Sequence, residues 1–327
     1  MGSFLESEKH RQAAFKVGSS FFSEAAKSDG IYKGKPRPFC LPKEHSSENL
    51  FAGIRDSSIS FFVRQSIKWH EGQDCQPSVH LCDSQVCCVN FLFTFADKPE
   101  PLKELLRPIF PTIARILPIE DGRYLTFEWI GKRDYLNENK RGRSARTRGA
   151  NCTSADAALL FEHDDGLRHL LLIEWKYTES YHSVSLKTSE RGTDRTKIYF
   201  PLYEDSSCPL DKSRLPSFDD LFFEPFYQLM RQQFLAHEIE KENELGAHLS
   251  SVLHIAPAAN ADFPQVTSPK LRSIGNSVID VWKNFVLSPN RFHSVATELF
   301  FGRLPVGKFP ELGDWWTYIT KRYSWVQ

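Results

Sequence analysis

The chain has no surplus of charge. Its 41 Lys and Arg balance 41 Asp and Glu over 327 residues, so it lacks the global basic field with which many nucleic-acid proteins gather phosphates. Affinity for a polyanion would have to come from local clustering. Paired cysteines are lacking too: seven cysteines, an odd number, stand at Cys40, Cys75, Cys82, Cys87, Cys88, Cys152 and Cys208 without a C-x-x-C spacing. That argues against a disulfide framework and for a reducing, cytoplasmic setting. No apolar run reaches the roughly 18 residues of a membrane span, and the N-terminal MGSFLESEKHRQAAFKVG has no uninterrupted apolar segment, so neither membrane insertion nor secretion is expected. G-x-S-x-G, G-x-x-x-x-G-K-[ST] and H-E-x-x-H are absent, which removes the serine-hydrolase elbow, the ATP-binding loop and the zincin helix. Internal repeats and low-complexity tracts are not seen. What is present, 41% hydrophobic and 13% aromatic residues, suffices for a globular core in one large or two ordinary domains.

The strongest signal is residues 156–176, DAALLFEHDDGLRHLLLIEWK. Two apolar runs of strand length flank His163, Asp164, Asp165 and Gly166, a polar turn with glycine where positive φ is easiest. A three-residue loop sets His163 against Leu167, and counting back sets Asp156 against Glu174. A slip of one residue would turn Asp156 away. Side chains alternate along a strand, so Glu174 and Lys176 share one face while Ile173 and Trp175 enter the core on the other. Two carboxylates this close repel and would raise one another's pKa, and a hard divalent cation relieves the conflict. The bland reading of Asp156, Glu174 and Lys176 is a surface ion-pair ladder.

Asp156 followed after a hairpin by Glu174-Trp175-Lys176 resembles the PD-(D/E)XK nuclease superfamily. Its signature is an acid, a variable hairpin, then acid-x-lysine on an apolar strand. The strings HLCDSQVCCVNFLF, RGANCTSADA, LLIEWKYTESY, FYQLMRQQFLA and VLHIAPAAN further resemble a bacterial family of restriction endonucleases within that superfamily, over most of the chain. The resemblance implies an α/β fold: a restriction-endonuclease-like mixed β-sheet core flanked by helices, with N- and C-terminal helical elaborations. It also implies Mg²⁺, replaceable by Mn²⁺, held by Asp156 and Glu174, DNA as substrate, and Lys176 assisting the attacking water. Gln85 and Asn90 are expected near the active-site face, and Gln228 at the catalytic lysine or the scissile phosphate. A homodimer and a modification or specificity partner are compatible with such an enzyme.

The organisation expected is a helical N-terminal scaffold (1–100), a nuclease core (101–260) with an insertion at 177–217, and a C-terminal helical extension (261–327), all in one compact unit. Ser46 to Asn49 offers a cap for a helix running through residues 55–65. Residues 102–116 read as helical, kinked or divided by Pro108 and Pro111, and 124–130 read as a strand. Glu128 in that strand, or Glu138 in DYLNENK, would serve as an additional metal-site acid, with nothing in the sequence to choose between them. The segment from Trp69 to Cys88 holds many zinc-type ligands, but their spacing fits core cysteines better.

Residues 140–148, KRGRSARTR, concentrate Lys140, Arg141, Arg143, Arg146 and Arg148 just before the hairpin, where they would hold backbone phosphates; the alternative is a solvated charge run. Residues 177–217 look like a polar insertion or flap. Residues 218–243 turn helical and place Gln228, Arg231 and Gln232 at i, i+3 and i+4, with Arg231 a further phosphate ligand. Residues 249–255 read as the next strand, and the aromatic-rich remainder as helical. The rival functions are a catalytically silent DNA-binding or assembly subunit on the same fold and a zinc-stabilised binding module.

Overall fold

Why the hairpin forms is visible in its side chains. In the computed structural model, which describes residues 3–139, 146–190 and 192–326, alternate positions of the two strands serve two separate cores. Leu171, Ile173 and Trp175 join one apolar cluster, and Leu170 and Leu172 the other. Each such fully buried aliphatic side chain contributes about 1.5–3 kcal/mol, so a one-residue slip would exchange the two sets and is strongly disfavoured.

In chain order, the described elements begin with helix α1 (Phe4–Gly18), a two-stranded ribbon β1 (Gly30–Tyr32) and β2 (Lys35–Arg37), and helices α2 (Arg55–Arg64), α3 (Ser84–Leu92) and α4 (Pro99–Leu106). Strands β3 (Ile113–Leu117), β4 (Thr126–Trp129), β5 (Ala155–His163) and β6 (Arg168–Trp175) follow. Helices α5 (Thr196–Glu204) and α6 (Phe226–Lys241) lead to β7 (Leu249–Ala256), and α7 (Val278–Phe285), β8 (Phe292–Ala296), α8 (Thr297–Gly302) and α9 (Gly313–Arg322) complete the chain. The six strands β3 to β8 form one mixed sheet in the order β3-β5-β6-β7-β8, with β4 also on β5. β3, β4 and β6 run antiparallel to β5, whereas β6, β7 and β8 are mutually parallel. The mixed sheet flanked by helices is the architecture the sequence led us to expect. α3, α4, α8 and α9 cover one face, and α5, α6 and α7 the other.

The hairpin register is the one read from the sequence. Ala157 pairs with Ile173 and Glu162 with Arg168, and at the turn His163 N–H donates to Leu167 O at 2.9 Å. Gly166 takes φ +83° there. Asp83 caps α3, its carboxylate accepting from Val86 N, and it fixes the helix whose first turn reaches the strand ends.

Four expectations need correction. Residues 102–116 are not one helix: α4 stops at Leu106, and Ile113–Leu117 is a strand on β5, because Pro108 and Pro111 stop the helix and Ile113 and Ile116 gain burial against the sheet. The C-terminal region is not all helical, since β8 extends the sheet beside β7 with Phe292 buried. Residues 177–217 are no detached flap. They contain α5, and Tyr199, Cys208, Leu210 and Leu215 are buried in the same core as α6. Residues 43–49 form a short 3-10 helix of their own, and α2 begins at Arg55 after Ile54 without a side-chain cap. No helix among the described residues is long and apolar enough to cross a membrane.

Candidate active site

Three neighbouring strands deliver a carboxylate to one cleft of about 310 Å³. The β5–β6 ladder ends at Ala157 and Ile173, and its continuation sets Asp156 opposite Glu174. On the other side Phe127 pairs with Ala157 and Trp129 with Ala155, so Glu128 stands opposite Asp156. The row continues through Glu174 to His254 and Ser294 on the parallel strands. Glu128, Asp156, Glu174 and Lys176 all line the cleft.

Glu128 reaches it through an unusual backbone. Its φ of +47° lies in the left-handed region within a strand, a conformation costing on the order of 1–3 kcal/mol that persists where the surroundings over-determine it. Gln85 Nε2 donates to Glu128 Oε1 and Ser154 Oγ to Glu128 Oε2, both at 2.6 Å, while Arg148 Nε donates to the Glu128 carbonyl at 3.1 Å. Gly149 closes against this residue at φ +73°; a Cβ there would stand 2.7 Å from Lys68 O and 3.4 Å from the Glu128 carboxyl carbon.

Asp156 Oδ2 accepts the Trp175 N–H at 2.6 Å, and Oδ1 has no hydrogen-bond partner among the described residues. Burial, then the charge of Glu174, pushes the Asp156 carboxyl well above the usual range. Burial likewise raises Glu128, against the Ser154 and Gln85 hydrogen bonds that oppose it. Lys176 is buried, which alone would favour the neutral amine, but Glu174, Tyr181 and Asp156 outweigh it and raise its pKa well above the ordinary lysine value. The ammonium sits 2.5 Å from Glu174 Oε1 and also donates to Gln228 Oε1.

Helix α6 holds this pair from the other side. Gln228 Nε2 donates to Tyr181 OH at 3.3 Å, and one turn on, Gln232 Nε2 donates at 2.7 Å both to Glu174 Oε2 and to Ser154 O. Arg231 lies between them in sequence, lines the cleft, donates to Thr153 Oγ1 at 3.3 Å and stacks 4.6 Å above Tyr227.

The other expected site residues separate. Glu138 is spent on Thr153, accepting from its N–H and Oγ at 2.6 Å each, and on Tyr199 OH at 2.7 Å; Glu128 is the acid in the cleft. Arg148, only 10% exposed, pairs with Glu120 and donates to Thr126 Oγ1 and the Phe127 carbonyl. Arg146 donates to the carbonyls of Ile130, Gly131 and Arg133. Both arginines therefore staple the chain to itself, contrary to the phosphate contacts expected of them. Lys140, Arg141 and Arg143 lie outside the described residues. Gln85 is at the cleft, but Asn90 is not: it binds Asn49, Phe51 and Tyr323 in the core. Cys82, Cys87 and Cys88 are buried and Cys75 is exposed. Among the described residues, the cluster of three potential ligands within 4.8 Å of one another is His70, Glu71 and Asp83, without a cysteine.

Sequence reasoning missed three residues of the cleft: Glu179, His70 and Ser154. Glu179 lines the cleft as a fourth acid, its Oε2 accepting Tyr177 N at 2.5 Å, and His70 lines its mouth. Ser154 holds Glu128, as Gln232, already placed by its helical spacing, holds Glu174. Continuing the cross-strand count from Asp156 onto the preceding strand would have singled out Glu128 over Glu138; nothing local pointed to His70.

The chain belongs to a family of restriction endonucleases. The matching family is the one described as Restriction Endonuclease associating with ARP, over residues 8–324. No curated protein and no solved structure matches the chain.

Proposed function

We propose that this protein is a divalent-metal-dependent endodeoxyribonuclease of the PD-(D/E)XK type. The observation that carries the reading is the convergence of Asp156, Glu174 and Lys176, with Glu128, in one cleft at the strand ends. The residues fit a hard cation: three carboxylates from adjacent strands, one with an oxygen left without a partner among the described residues, crowd a buried site whose mutual repulsion Lys176 and Arg148 offset only in part, since Asp156 and Glu128 both stay raised. Asp156, Glu174 and Glu128 would hold it. A bound Mg²⁺, or Mn²⁺ in its place, supplies Lewis-acid polarisation of a phosphate and a water of lowered pKa.

The chain's own residues do the rest. Lys176, kept as an ammonium between Glu174 and Gln228, orients the attacking water and offsets charge building on the phosphate, a contribution of about 10²- to 10³-fold. Gln228 aims the lysine and Gln232 aims Glu174, so that neither has to be ordered when substrate arrives. Arg231 faces the cleft with its guanidinium stacked on Tyr227 and binds a non-bridging phosphate oxygen. DNA rather than another phosphodiester follows the family description, and a symmetric pair of chains would cut both strands of a duplex. A modification or specificity partner fits the same reading.

The test is cleavage of plasmid and single-stranded DNA by the purified protein in Mg²⁺ or Mn²⁺. Cleavage lost in EDTA and in Lys176→Ala supports the reading. DNA binding without cleavage of any substrate would replace it with a catalytically silent DNA-binding subunit.

A further inference from the structure

Across the sheet from α6, the layer that carries α3 places a histidine at the same cleft. His70 lines it, with a side chain 68% exposed, while its partner Asp83 is only 2% exposed. His70 Nδ1 stands 3.0 Å from Asp83 Oδ2, and Asp83 Oδ1 accepts the Val86 N–H at 2.8 Å as the α3 cap, so the carboxylate cannot turn. The His70 main chain is tied to the acids as well: its N–H donates to Gln85 Oε1 at 2.7 Å, and the same amide donates to Glu128. Glu71, next in sequence, adopts φ +50°, so the chain turns sharply as it leaves the histidine. With Nδ1 committed to Asp83, Nε2 has no hydrogen-bond partner among the described residues. A buried carboxylate fixing one ring nitrogen while the other is presented to a reaction site is how proteins set an imidazole for proton transfer.

We propose that His70 protonates the departing sugar oxygen of the scissile phosphodiester, with Asp83 as the positioning residue behind it. The inference rests on the nuclease reading above. Water adds to phosphorus, the P–O bond to the departing sugar oxygen breaks, and the Nε2–H proton passes to that oxygen to give the alcohol. The proton shed by the attacking water goes to solvent, from which the imidazole regains one. The charged groups facing the ring are Asp83, Glu71 and Glu128; the hydrogen bond to Asp83 acts most strongly, against the effect of burial, and lifts the His70 pKa to about 8. The ring is thus charged at neutral pH before substrate binds.

The experiment compares two duplexes carrying a cleavage site first mapped on plasmid, one ordinary and one with sulfur in place of the departing oxygen, because a thiolate leaves without being protonated. His70→Ala should slow the ordinary duplex by about 10²- to 10⁴-fold yet cut the sulfur duplex within about threefold of the wild type. Lys176→Ala should slow both. Equal slowing of both duplexes by His70→Ala, or no slowing of either, would overturn the proposal while leaving the nuclease reading intact; failure of the wild type to cut any DNA would overturn both. In the metal-free protein, NMR of the His70 ring should show a pKa near 8 that drops in Asp83→Asn. An unchanged titration would contradict Asp83's role, whatever the activity.

Discussion

Asp156 and Glu174 face each other across β5 and β6, one residue beyond the last Ala157–Ile173 pair, in a register held by two apolar cores. Because each strand's faces feed different cores, these two acids cannot separate without dislocating the hairpin. Their proximity is built in before any ligand arrives. The first expectation follows from its electrostatic cost: Asp156→Asn should stabilise the metal-free protein at neutral pH while abolishing cleavage, as read by urea unfolding in EDTA beside a nicking assay.

The same pair sets a pH dependence. The unfolded chain releases the Asp156 proton near 3.8, whereas the folded chain keeps it well above that. Between the two values the native state binds more protons, so stability falls as pH rises. Each unit of upward shift is worth about 1.4 kcal/mol. The Asp156 contribution to the stability of the metal-free protein should therefore fall as pH rises above about 4, read as the difference in denaturant midpoint between wild type and Asp156→Asn across a pH series.

Acid acts through other groups. His254, in the acids' cross-strand row, and His169, in the stack with Phe161, are both buried and held down to about 3. Unfolded histidines take up protons near 6.5, so the contribution of these two to stability is lost as pH falls from about 6.5 toward 3. His254→Gln should lessen that acid loss in a thermal-melt series.

Gln232 offers a test of positioning. Its amide serves Glu174 and Ser154 together, so Gln232→Leu leaves both acceptors short and should cost about 1–3 kcal/mol. Outer-shell residues of this kind typically shift metal affinity or activity by about 10- to 100-fold. A weaker divalent-cation affinity by calorimetry, with the fold retained by circular dichroism, is the expected result.

The arginines divide by role. Arg148→Ala should destabilise by about 1.5–3 kcal/mol, because it strips hydrogen bonds from Glu120, Thr126 and the Phe127–Glu128 backbone. It should leave the salt dependence of DNA binding unchanged. Arg231→Ala should instead weaken DNA binding and reduce the slope of log K against log salt by about one. Fluorescence anisotropy over a salt series separates the two.

The centre of the site was legible because it rests on local rules: the hairpin's period of two, its glycine turn and its acid-x-lysine spacing fixed Asp156, Glu174 and Lys176 relative to one another. Helical spacing likewise put Gln228, Arg231 and Gln232 on one face of α6. What stayed hidden depends on contacts distant in the chain. The choice of Glu128 over Glu138 turns on a left-handed residue that no propensity favours, and His70 enters through a loop held by Gln85 and Asp83. Arg146 and Arg148 show the converse: a basic run suggests phosphate, but where the fold supplies carbonyls and Glu120 the guanidinium groups are consumed internally. β8 escaped detection because its five residues pair in parallel with β7 across an intervening α7, and such pairing leaves little local trace.

The most direct test of the account is anomalous diffraction from crystals of this protein soaked in Mn²⁺. The account predicts a peak among the carboxylates of Asp156, Glu174 and Glu128, lost in Asp156→Asn. A peak only at the His70, Glu71 and Asp83 cluster, or none at the three acids in crystals of demonstrably active protein, would contradict it.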